Sequence, residues 1–255
     1  MYKLAPRNYQ MQKNKLNIAL IGYGKMGKTI EKIATSRGHH ISLKITSRNL
    51  SDLNAANLKN IDAAIEFTTP EAAADNLLIL AQHKIPTACG TTAWLSRYDE
   101  VCQAFKSAKS AFLYASNFSI GVNIFFALNK QLAKMMDQLS DYDISMTESH
   151  HISKLDAPSG TAVTLAEQIM EEVNRKSNWS KESADSHDYI AIKSIREGDV
   201  KGMHEINYTS SIDEIKIKHE AFSRDGFALG SVLAAEWLLG KQGIYGMGDV
   251  LDIRS

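Results

Sequence analysis

The chain has 255 residues, of which 44% are hydrophobic and 23% charged, and its 29 basic residues balance 29 acidic ones. This length and composition are typical of a globular protein with one large or two modest domains, not of a disordered or collagen-like chain. The balanced charge argues against a nucleic-acid partner, and no uninterrupted apolar stretch reaches the roughly 20 residues that a membrane span needs.

The cysteines and the first residues bear on the compartment. Cys89 and Cys102 are too few for a disulfide framework and do not form a Cys-x-x-Cys pair, so reduced thiols in a cytoplasmic protein are the simplest interpretation. Residues 1–15 are polar and lack the apolar run of a secretion signal. We expect this leader to be loosely ordered, with Met11 as an alternative natural start.

The first strong motif is a Gly-x-Gly-x-x-Gly sequence between a predicted strand, residues 16–21, and a predicted helix, residues 28–36, which ends near Gly38. In dinucleotide-binding folds these glycines allow a tight turn, close approach of the backbone to the pyrophosphate and close helix packing, with phosphate at the helix N-terminus. The order strand, glycines, helix therefore predicts a dinucleotide site. Its residues are Gly22, Tyr23, Gly24, Lys25, Met26 and Gly27.

The end of the second predicted strand, residues 41–46, bears on the choice of cofactor. NAD-binding folds usually place an acidic residue there, but this chain continues with Ser47 and Arg48 and has no acidic residue before Asp52. Hydroxyl groups followed by an arginine suit the 2'-phosphate of NADPH, so NADPH is favoured, or at least accepted, beside NADH. The alternative is that Arg48 is only the first residue of a solvent-exposed loop that extends to residue 60.

Further strands are predicted at residues 61–67, 85–89 and 111–115, with a helix at 72–83. Strands that alternate with helices favour a parallel, doubly wound, Rossmann-like sheet, in which ligands bind beyond the carboxyl ends of the strands. The loops at those ends supply further cofactor candidates. They are Phe67, Thr68, Thr69, Gly90, Thr91, Thr92, Ser116, Asn117 and Phe118. Small hydroxyl residues there also suit simple helix caps, and both interpretations stay open.

The second half of the chain has a different pattern. A long amphipathic helix at residues 118–139 is followed by an alternating strand at 142–148, a helix at 161–175, a charged surface loop at 176–188 and strands at 189–195, 204–210 and 215–221. These elements predict an α+β domain with a mixed or antiparallel sheet, whose open face suits an oligomer interface.

The last predicted helix, residues 227–239, precedes an irregular, glycine-rich end at 240–251. We expect this end to return to the first domain, since the last helix would otherwise have no sheet to cover. The expected domains are therefore residues 1–117 with 228–255 for the dinucleotide, and residues 118–227 for substrate and oligomerisation.

The densest polar stretch is residues 148–162, which read ESHHISKLDAPSGTA. Histidine is the side chain able to donate a proton near neutral pH, and His150 and His151 are adjacent here. Lys154 supplies a compact positive charge for a carboxylate. After Pro158 a helix begins whose backbone N–H groups and two hydroxyls form an anion site, although an ordinary helix cap has the same sequence. The residues of this anion site are Ser159, Gly160 and Thr161.

Together these motifs identify a resemblance to the 4-hydroxy-tetrahydrodipicolinate reductase family, also called dihydrodipicolinate reductase, over residues 16–251. The segments that carry it are GYGKMG at Gly22, GTT at Gly90, SNFSIGVN at Ser116, ESHHISKLDAPSGTA at Glu148, REGDVKGMHE at Arg196 and HEAFSRDGFALG at His219. The histidine-lysine run is close to diagnostic for that family. Ala93 departs from the pattern, because a glycine is common after the GTT segment.

The resemblance implies a reductase of the diaminopimelate route to lysine, which transfers a hydride from NADPH or NADH to a cyclic imine dicarboxylate. It implies that His150 is the proton donor, that His151 contacts substrate, and that Lys154 holds substrate and assists the imine chemistry. It also implies a homotetramer formed through the second domain. Arg196 and His204 match family positions, and their roles stay open.

Three alternatives compete with this interpretation. A metal site would need a third ligand such as His204 or His219 beside the histidine pair, at a spacing that the sequence does not show, so no metal is predicted. Cys89 resembles the nucleophile of a semialdehyde dehydrogenase but has no evident base, and a buried thiol is the simpler interpretation. The chain could otherwise be another two-domain NAD(P)-dependent dehydrogenase, or a non-catalytic NAD(P)H sensor.

Overall fold

A computed structural model describes residues 15–181 and 186–253. The predicted loosely ordered leader, including Met11, lies almost wholly outside the described residues. The chain divides into two compact units, one formed by Met1–Ser116 with Ser231–Gly246 and the other by Asn117–Gly230 with Met247–Ser255. No described helix is both long enough and apolar enough to cross a bilayer.

The first unit contains a sheet of six parallel strands. In chain order the strands are β1 (Asn17–Ile21), β2 (His40–Ile45), β3 (Ala63–Glu66), β4 (Thr87–Cys89), β5 (Ala111–Tyr114) and β11 (Gly243–Tyr245). Their order across the sheet is β11-β5-β4-β3-β1-β2. The order in which successive strands are added therefore reverses between β1 and β3, and doubly wound sheets bind their ligands at such a point.

Helices connect these strands and cover the sheet. They are α1 (Lys25–Ser36), α2 (Ala55–Leu58), α3 (Pro70–Gln82), α4 (Tyr98–Ala108) and the later part of α7 (Asp225–Trp237). Leu77 and Leu80 of α3 and Phe105 of α4 are wholly buried in one hydrophobic cluster with Phe112 of β5. The Phe105 and Phe112 rings stack with centroids 4.8 Å apart, which anchors α4 to the sheet.

The second unit contains a mixed sheet in the order β10-β9-β6-β8-β7. Its strands are β6 (Asp143–His150), β7 (Asn178–Lys181), β8 (Tyr189–Arg196), β9 (Met203–Thr209) and β10 (Glu214–Glu220). Pairs β10–β9 and β9–β6 are antiparallel, whereas β6–β8 and β8–β7 are parallel. The helices of this unit are α5 (Ile120–Met136), α6 (Gly160–Glu172), the start of α7 and α8 (Met247–Val250).

One face of this second sheet packs on α5 and α6. Ile144 and Met146 of β6, Ile192 of β8 and Ile206 of β9 are buried there in one cluster with Leu165 of α6. Most alternate positions on these strands, such as Ser145, Thr147 and Asn207, are polar and partly exposed, as the period of two requires. The predicted combination of a Rossmann-like parallel sheet and an α+β part with a mixed sheet is confirmed.

Two predicted irregular segments contain structure. Residues 176–188, predicted as a surface loop, include β7, which pairs with β8, and Lys176 is buried with its Nζ 2.7 Å from Asp143 Oδ1. Residues 240–251, predicted as irregular, include β11, paired with β5, and α8. Both strands are too short for their own sequence to show a period, and pairing with a neighbouring strand stabilises them.

The units also differ in detail from the expected domains. Residues 228–230 and Met247–Ser255, expected with the dinucleotide domain, group with the second unit. The reason is that the chain leaves the first sheet after β11, and the short helix α8 follows at once.

Candidate active site

The three glycines of the nucleotide motif occupy three different environments. Gly22 has φ +95, and a Cβ on it would lie 1.9 Å from the Phe67 carbonyl oxygen, so this turn requires glycine. A Cβ on Gly27 would lie 2.4 Å from the Gly22 carbonyl oxygen, which keeps α1 close to β1. Gly24 has nothing within 4 Å of its Cβ position, so a ligand can approach the backbone there.

This loop borders a cavity of about 330 Å³ at the carboxyl edge of the first sheet. The lining residues are Gly24, Lys25, Met26, Gly27, Phe67, Thr68, Pro70, Gly90, Thr91 and Thr92. Gly24 is the N-cap residue of α1 and provides no side-chain cap, so the first N–H groups of the helix are available to an anion. Backbone amides beside an open glycine fit the pyrophosphate of a dinucleotide.

Some predicted cofactor residues lie outside this cavity lining. The Tyr23 hydroxyl donates to Glu31, and Thr69 precedes α3 as its N-cap residue. Asn117 Oδ1 accepts from the Ser119 amide at 2.9 Å, Ser116 is exposed, and the Phe118 side chain is buried. Gly22 forms the turn after β1 and is not among the residues that line the cavity. A cofactor contact for these residues stays a prediction.

The end of β2 supports the predicted phosphate contact. Arg48 is exposed, and within residues 15–181 and 186–253 its side chain has no hydrogen bond or ion pair. Asp52 is already engaged, since its Oδ2 accepts from Asn49 Nδ2 at 2.9 Å. The free guanidinium, rather than the acid, is therefore available to a ligand at this strand end. Ala93, where glycine was expected, has φ +61, a region that favours glycine.

A second candidate site lies in the second unit, at the end of β6 where the buried side chains are polar instead of apolar. Glu148 and His150 continue the buried alternation of β6. In the strand register Glu148 lies opposite His204 of β9, and His150 lies opposite Arg196 of β8. Three strands thus bring a carboxylate, two imidazoles and a guanidinium to one end of one face.

Glu148 is the centre of this polar cluster and is wholly buried. Its Oε1 accepts from Arg196 Nη2 at 2.9 Å and from the Ser159 amide at 3.1 Å, and its Oε2 lies 3.2 Å from His150 Nδ1. Burial alone raises the pKa of Glu148, but the contacts with His150, Ser159 and Arg196 outweigh burial and hold that pKa well below its ordinary value. The group is therefore a carboxylate at neutral pH.

The two histidines of the cluster differ in their contacts. The rings of His150 and His204 meet edge to face with centroids 5.1 Å apart. His204 Nε2 is hydrogen-bonded to Ser159 Oγ at 3.1 Å. Burial and the charge of nearby His150 lower the pKa of His204 to about 3, so His204 is neutral. His150 Nδ1 faces the carboxylate of Glu148, with 3.2 Å between Nδ1 and Oε2.

Arg196 also shapes the loop between β6 and α6. Its Nε lies 3.3 Å from the Lys154 carbonyl oxygen, and its Nη2 lies 2.5 Å from the Asp156 carbonyl oxygen. Lys154 Nζ donates to both carboxylate oxygens of Asp156 at 2.8 Å. The arginine therefore fixes the backbone that presents Lys154.

Helix α6 starts at this loop. Ser159 is its N-cap residue, whose hydroxyl accepts from the Ala162 amide, and Gly160 has open space in front of its Cβ position. Thr161 is partly exposed in the first turn. His151 is partly exposed, with its Nδ1 2.8 Å from Ser153 Oγ. His150, Lys154 and the start of α6 thus all lie in the second unit, and their common role in one site stays a prediction.

Glu148, His150 and His204 also offer ligand atoms within 4.8 Å of one another, a spacing that a metal ion could use. Sequence spacing did not show this convergence, because β9 supplies His204. Arg196 opposes cation binding, since its guanidinium already bonds the same carboxylate.

Comparison with known proteins gives the family of the chain. A family model described as "Dihydrodipicolinate reductase, N-terminus" matches residues 16–118, and one described as "Dihydrodipicolinate reductase, C-terminus" matches residues 121–251. The chain belongs to the dihydrodipicolinate reductase family. The resemblance inferred from the sequence motifs is confirmed.

Relatives of this family span nearly the whole chain. A 4-hydroxy-tetrahydrodipicolinate reductase from Christiangramia forsetii is 49% identical over 240 residues, covering 92% of this chain and 98% of that protein. One from Rickettsia bellii is 39% identical over 240 residues, covering 92% and 94%. A solved dipicolinate-bound dihydrodipicolinate reductase from Paenisporosarcina sp. TG-14 has a TM-score of 0.74 at 19% identity, covering 94% of this chain and 100% of that one, and shows the shared fold.

The sequence motifs placed Glu148 at the start of the candidate site without a role and left the roles of Arg196 and His204 open. A signal for Glu148 was present, because it follows Ile144 and Met146 at intervals of two on a buried strand face. A carboxylate at such a position needs partners. No local pattern indicated that Arg196 and His204 were those partners.

Proposed function

We propose that this chain reduces 4-hydroxy-tetrahydrodipicolinate to tetrahydrodipicolinate with a hydride from NADPH or NADH, in the diaminopimelate route to lysine. The observation that carries the proposal is the Glu148 cluster, which holds a proton donor beside two groups for carboxylates. The chain is an NAD(P)H-dependent oxidoreductase of the dihydrodipicolinate reductase family.

His150 is the proton donor in this proposal. The cofactor supplies a hydride when it is bound to the first unit. Hydride addition to a conjugated imine leaves electron density that must take up a proton, and a histidine supplies one near neutral pH. Glu148 Oε2 faces His150 Nδ1 at 3.2 Å and so orients the imidazole ring. Because Glu148 itself is buried, it acts on the substrate through His150.

The substrate carboxylates have two separate binding groups. The first is the ammonium group of Lys154, which is hydrogen-bonded to Asp156 in this structure. The second is the start of α6, where Gly160 and Thr161 present backbone N–H groups. His151, beside His150, is an additional polar contact. Holding a ring at both carboxylates would fix its reducible carbon, which is the positioning that hydride transfer requires.

The first unit is the dinucleotide-binding domain in this proposal. Gly24 to Gly27 would hold the pyrophosphate, and the residues after β3 and β4 would line the nicotinamide end. Arg48, exposed at the end of β2 and unengaged in the described part of the chain, would bind the 2'-phosphate of NADPH.

We also propose that the enzyme is a cytoplasmic homotetramer assembled through the open face of the second sheet. What supports the oligomer is the set of partly exposed positions on β6, β8 and β9 opposite the helix-covered face. Light scattering on the purified chain tests this, and a monomer at micromolar concentration would contradict it.

Turnover decides the function. Purified protein is mixed with NADPH and freshly generated 4-hydroxy-tetrahydrodipicolinate, and NADPH oxidation is followed against a sample without the dicarboxylate. We expect oxidation that depends on the dicarboxylate. Tight NADPH binding without turnover would instead support an NAD(P)H sensor, and turnover only with another substrate would support a different dehydrogenase.

A further inference from the structure

A second buried carboxyl lies behind the cofactor cavity. Glu66 is the last residue of β3, which lies between β1 and β4 at the point where the sheet order reverses. Its exposed fraction is 0%. Sequence motifs gave it no role, and it does not belong to the cavity lining.

Both oxygens of Glu66 are engaged by neighbouring loops. Oε1 accepts from the Thr68 amide at 3.1 Å and from Thr91 Oγ1 at 3.1 Å, and the Thr68 hydroxyl is also bonded to it. The Thr68 amide additionally lies 2.7 Å from Thr91 Oγ1. Oε2 lies 3.0 Å from Cys89 Sγ. One carboxyl therefore joins the loop after β3 to the loop after β4.

These contacts bear on how the two threonines act. Thr68 and Thr91 both line the cavity, yet their hydroxyls contact Glu66 on its buried side. A hydroxyl bonded in this way is not free to be aimed at a ligand without breaking a buried hydrogen bond. The threonines thus contribute the shape of the wall and its backbone.

We propose that Glu66 is a positioning residue for the dinucleotide, because its buried carboxyl holds the Thr68 and Thr91 loops together as one wall of the cofactor cavity. The inference rests on the proposed cofactor site. It differs from that proposal in assigning the cofactor affinity of these loops to a residue that the cofactor does not touch.

The charge of Glu66 fits this role. Within the described ranges, no lysine, arginine or histidine forms an ion pair with it. Burial raises the pKa of Glu66, which favours the neutral acid. A neutral carboxyl can bridge two loops without placing a negative charge behind a site for a diphosphate. Glutamine, which is neutral and of the same shape, is therefore the conservative replacement.

The test measures NADPH affinity of the full-length chain by fluorescence titration, without the dicarboxylate. Glu66→Ala should raise the Kd for NADPH about tenfold or more, because it leaves buried donors without an acceptor. Glu66→Gln should stay within about threefold of the parent, and Thr91→Val should fall between them. Glu100→Gln is the matched control, since Glu100 is exposed on α4 and pairs with Arg97.

Kinetics separate positioning from a general loss of structure. In turnover, Glu66→Ala should raise the KM for NADPH and leave kcat at saturating NADPH within about twofold, whereas a partly unfolded enzyme would lose kcat. A folded Glu66→Ala with unchanged Kd overturns the proposal, and so does a Glu66→Gln that loses as much affinity as alanine. If Glu66→Ala does not fold, an unchanged Kd for Thr91→Val overturns it.

The titration also keeps this inference distinct from the reductase function. A chain that binds NADPH but does not reduce the dicarboxylate contradicts the proposed function and leaves the Glu66 titration decisive. A chain that turns over normally while Glu66→Ala binds NADPH like the parent contradicts the role of Glu66 alone.

Discussion

Arg196 and Glu148 form an ion pair with 2.9 Å between Nη2 and Oε1, and only 1% of the Glu148 side chain is exposed. The same guanidinium donates to the backbone of the Lys154 loop, while the same carboxylate accepts from the amide that starts α6. One ion pair therefore connects His150, the proposed proton donor, with the Lys154 loop and the helix start of the candidate site. Breaking a buried pair costs more than the pair contributes, because the remaining charge stays buried.

Replacing Glu148 by glutamine should therefore disable the site without harming cofactor binding. Glu148→Gln keeps the shape but leaves Arg196 without a counter-charge and removes the carboxylate that faces His150. We expect kcat to fall by about 10- to 100-fold, the usual effect of losing a group that orients a catalytic residue. Steady-state kinetics measure kcat, and NADPH titration should give an unchanged Kd.

The matched control for this variant is Glu167→Gln, because Glu167 is exposed on α6. It should behave like the parent in both measurements. A Glu148→Gln enzyme with parental kcat would remove the carboxylate from the mechanism. Arg196→Lys should resemble Glu148→Gln, since one ammonium cannot reproduce the four hydrogen bonds that the planar guanidinium makes.

His150→Gln tests the proton donor itself. If His150 supplies the proton, kcat should fall by about two to four orders of magnitude, the usual contribution of a general acid. The Kd for NADPH should not change, because the loops that line the cofactor cavity belong to the other unit. Stopped-flow or steady-state oxidation of NADPH measures the effect. His187→Gln, at an exposed position in the same unit, is the control, and equal rates for both variants would exclude His150 as the acid.

Much of the fold could be predicted, because a long helix or strand with one buried face shows hydrophobic residues at regular intervals in its sequence. Ile144 and Met146 alternate with polar neighbours, and this alternation predicted β6. The glycine motif from Gly22 to Gly27 predicted the turn from β1 to α1. The pattern failed for β11 and β7, which have three and four residues. Their strand character comes from pairing with β5 and β8, a long-range property that no local pattern shows.

The site was predictable to the same extent. His150 and Lys154 lie within one short segment, so the motif contained both. Arg196 lies 48 residues after Glu148, and only the parallel register of β6 and β8 brings the two together. Sequence patterns also gave Glu66 no role, because its hydrogen-bond partner Thr91 lies 25 residues further along the chain. Sequence patterns show which residues share a strand face, whereas sheet pairing decides which of them meet.

Arg48→Ala tests the choice of cofactor. The Arg48 guanidinium, which has no partner among the described residues, suits a 2'-phosphate, which NADPH has and NADH lacks. We expect kcat/KM with NADPH to fall about tenfold or more, the scale of a lost charged hydrogen bond, and kcat/KM with NADH to stay within about twofold. Lys59→Ala, an exposed charge removed further along the same connection, is the control. An equal loss with both cofactors would contradict a phosphate contact.

His204 gives the fold a pH dependence whose sign follows from its environment. Burial lowers its folded pKa to about 3, against 6.5 in an exposed chain. Between these values the unfolded chain binds a proton that the folded chain does not, so this contribution to stability is complete above the unfolded pKa and is lost as pH falls. The single carboxylate of the cluster, Glu148, titrates at lower pH, because its pKa is lowered from 4.5.

The prediction is a difference between two unfolding curves. From about pH 7 to about pH 5 the parent should lose about 2 kcal/mol more of its free energy of unfolding than His204→Gln, because one proton per pH unit is worth about 1.4 kcal/mol. Urea unfolding at several pH values measures both free energies, and His40→Gln, at an exposed position on β2, should follow the parent. If His204→Gln loses stability as steeply as the parent, the buried ring is not held neutral. The Ser159–His204 hydrogen bond would then have to be explained by a charged imidazole.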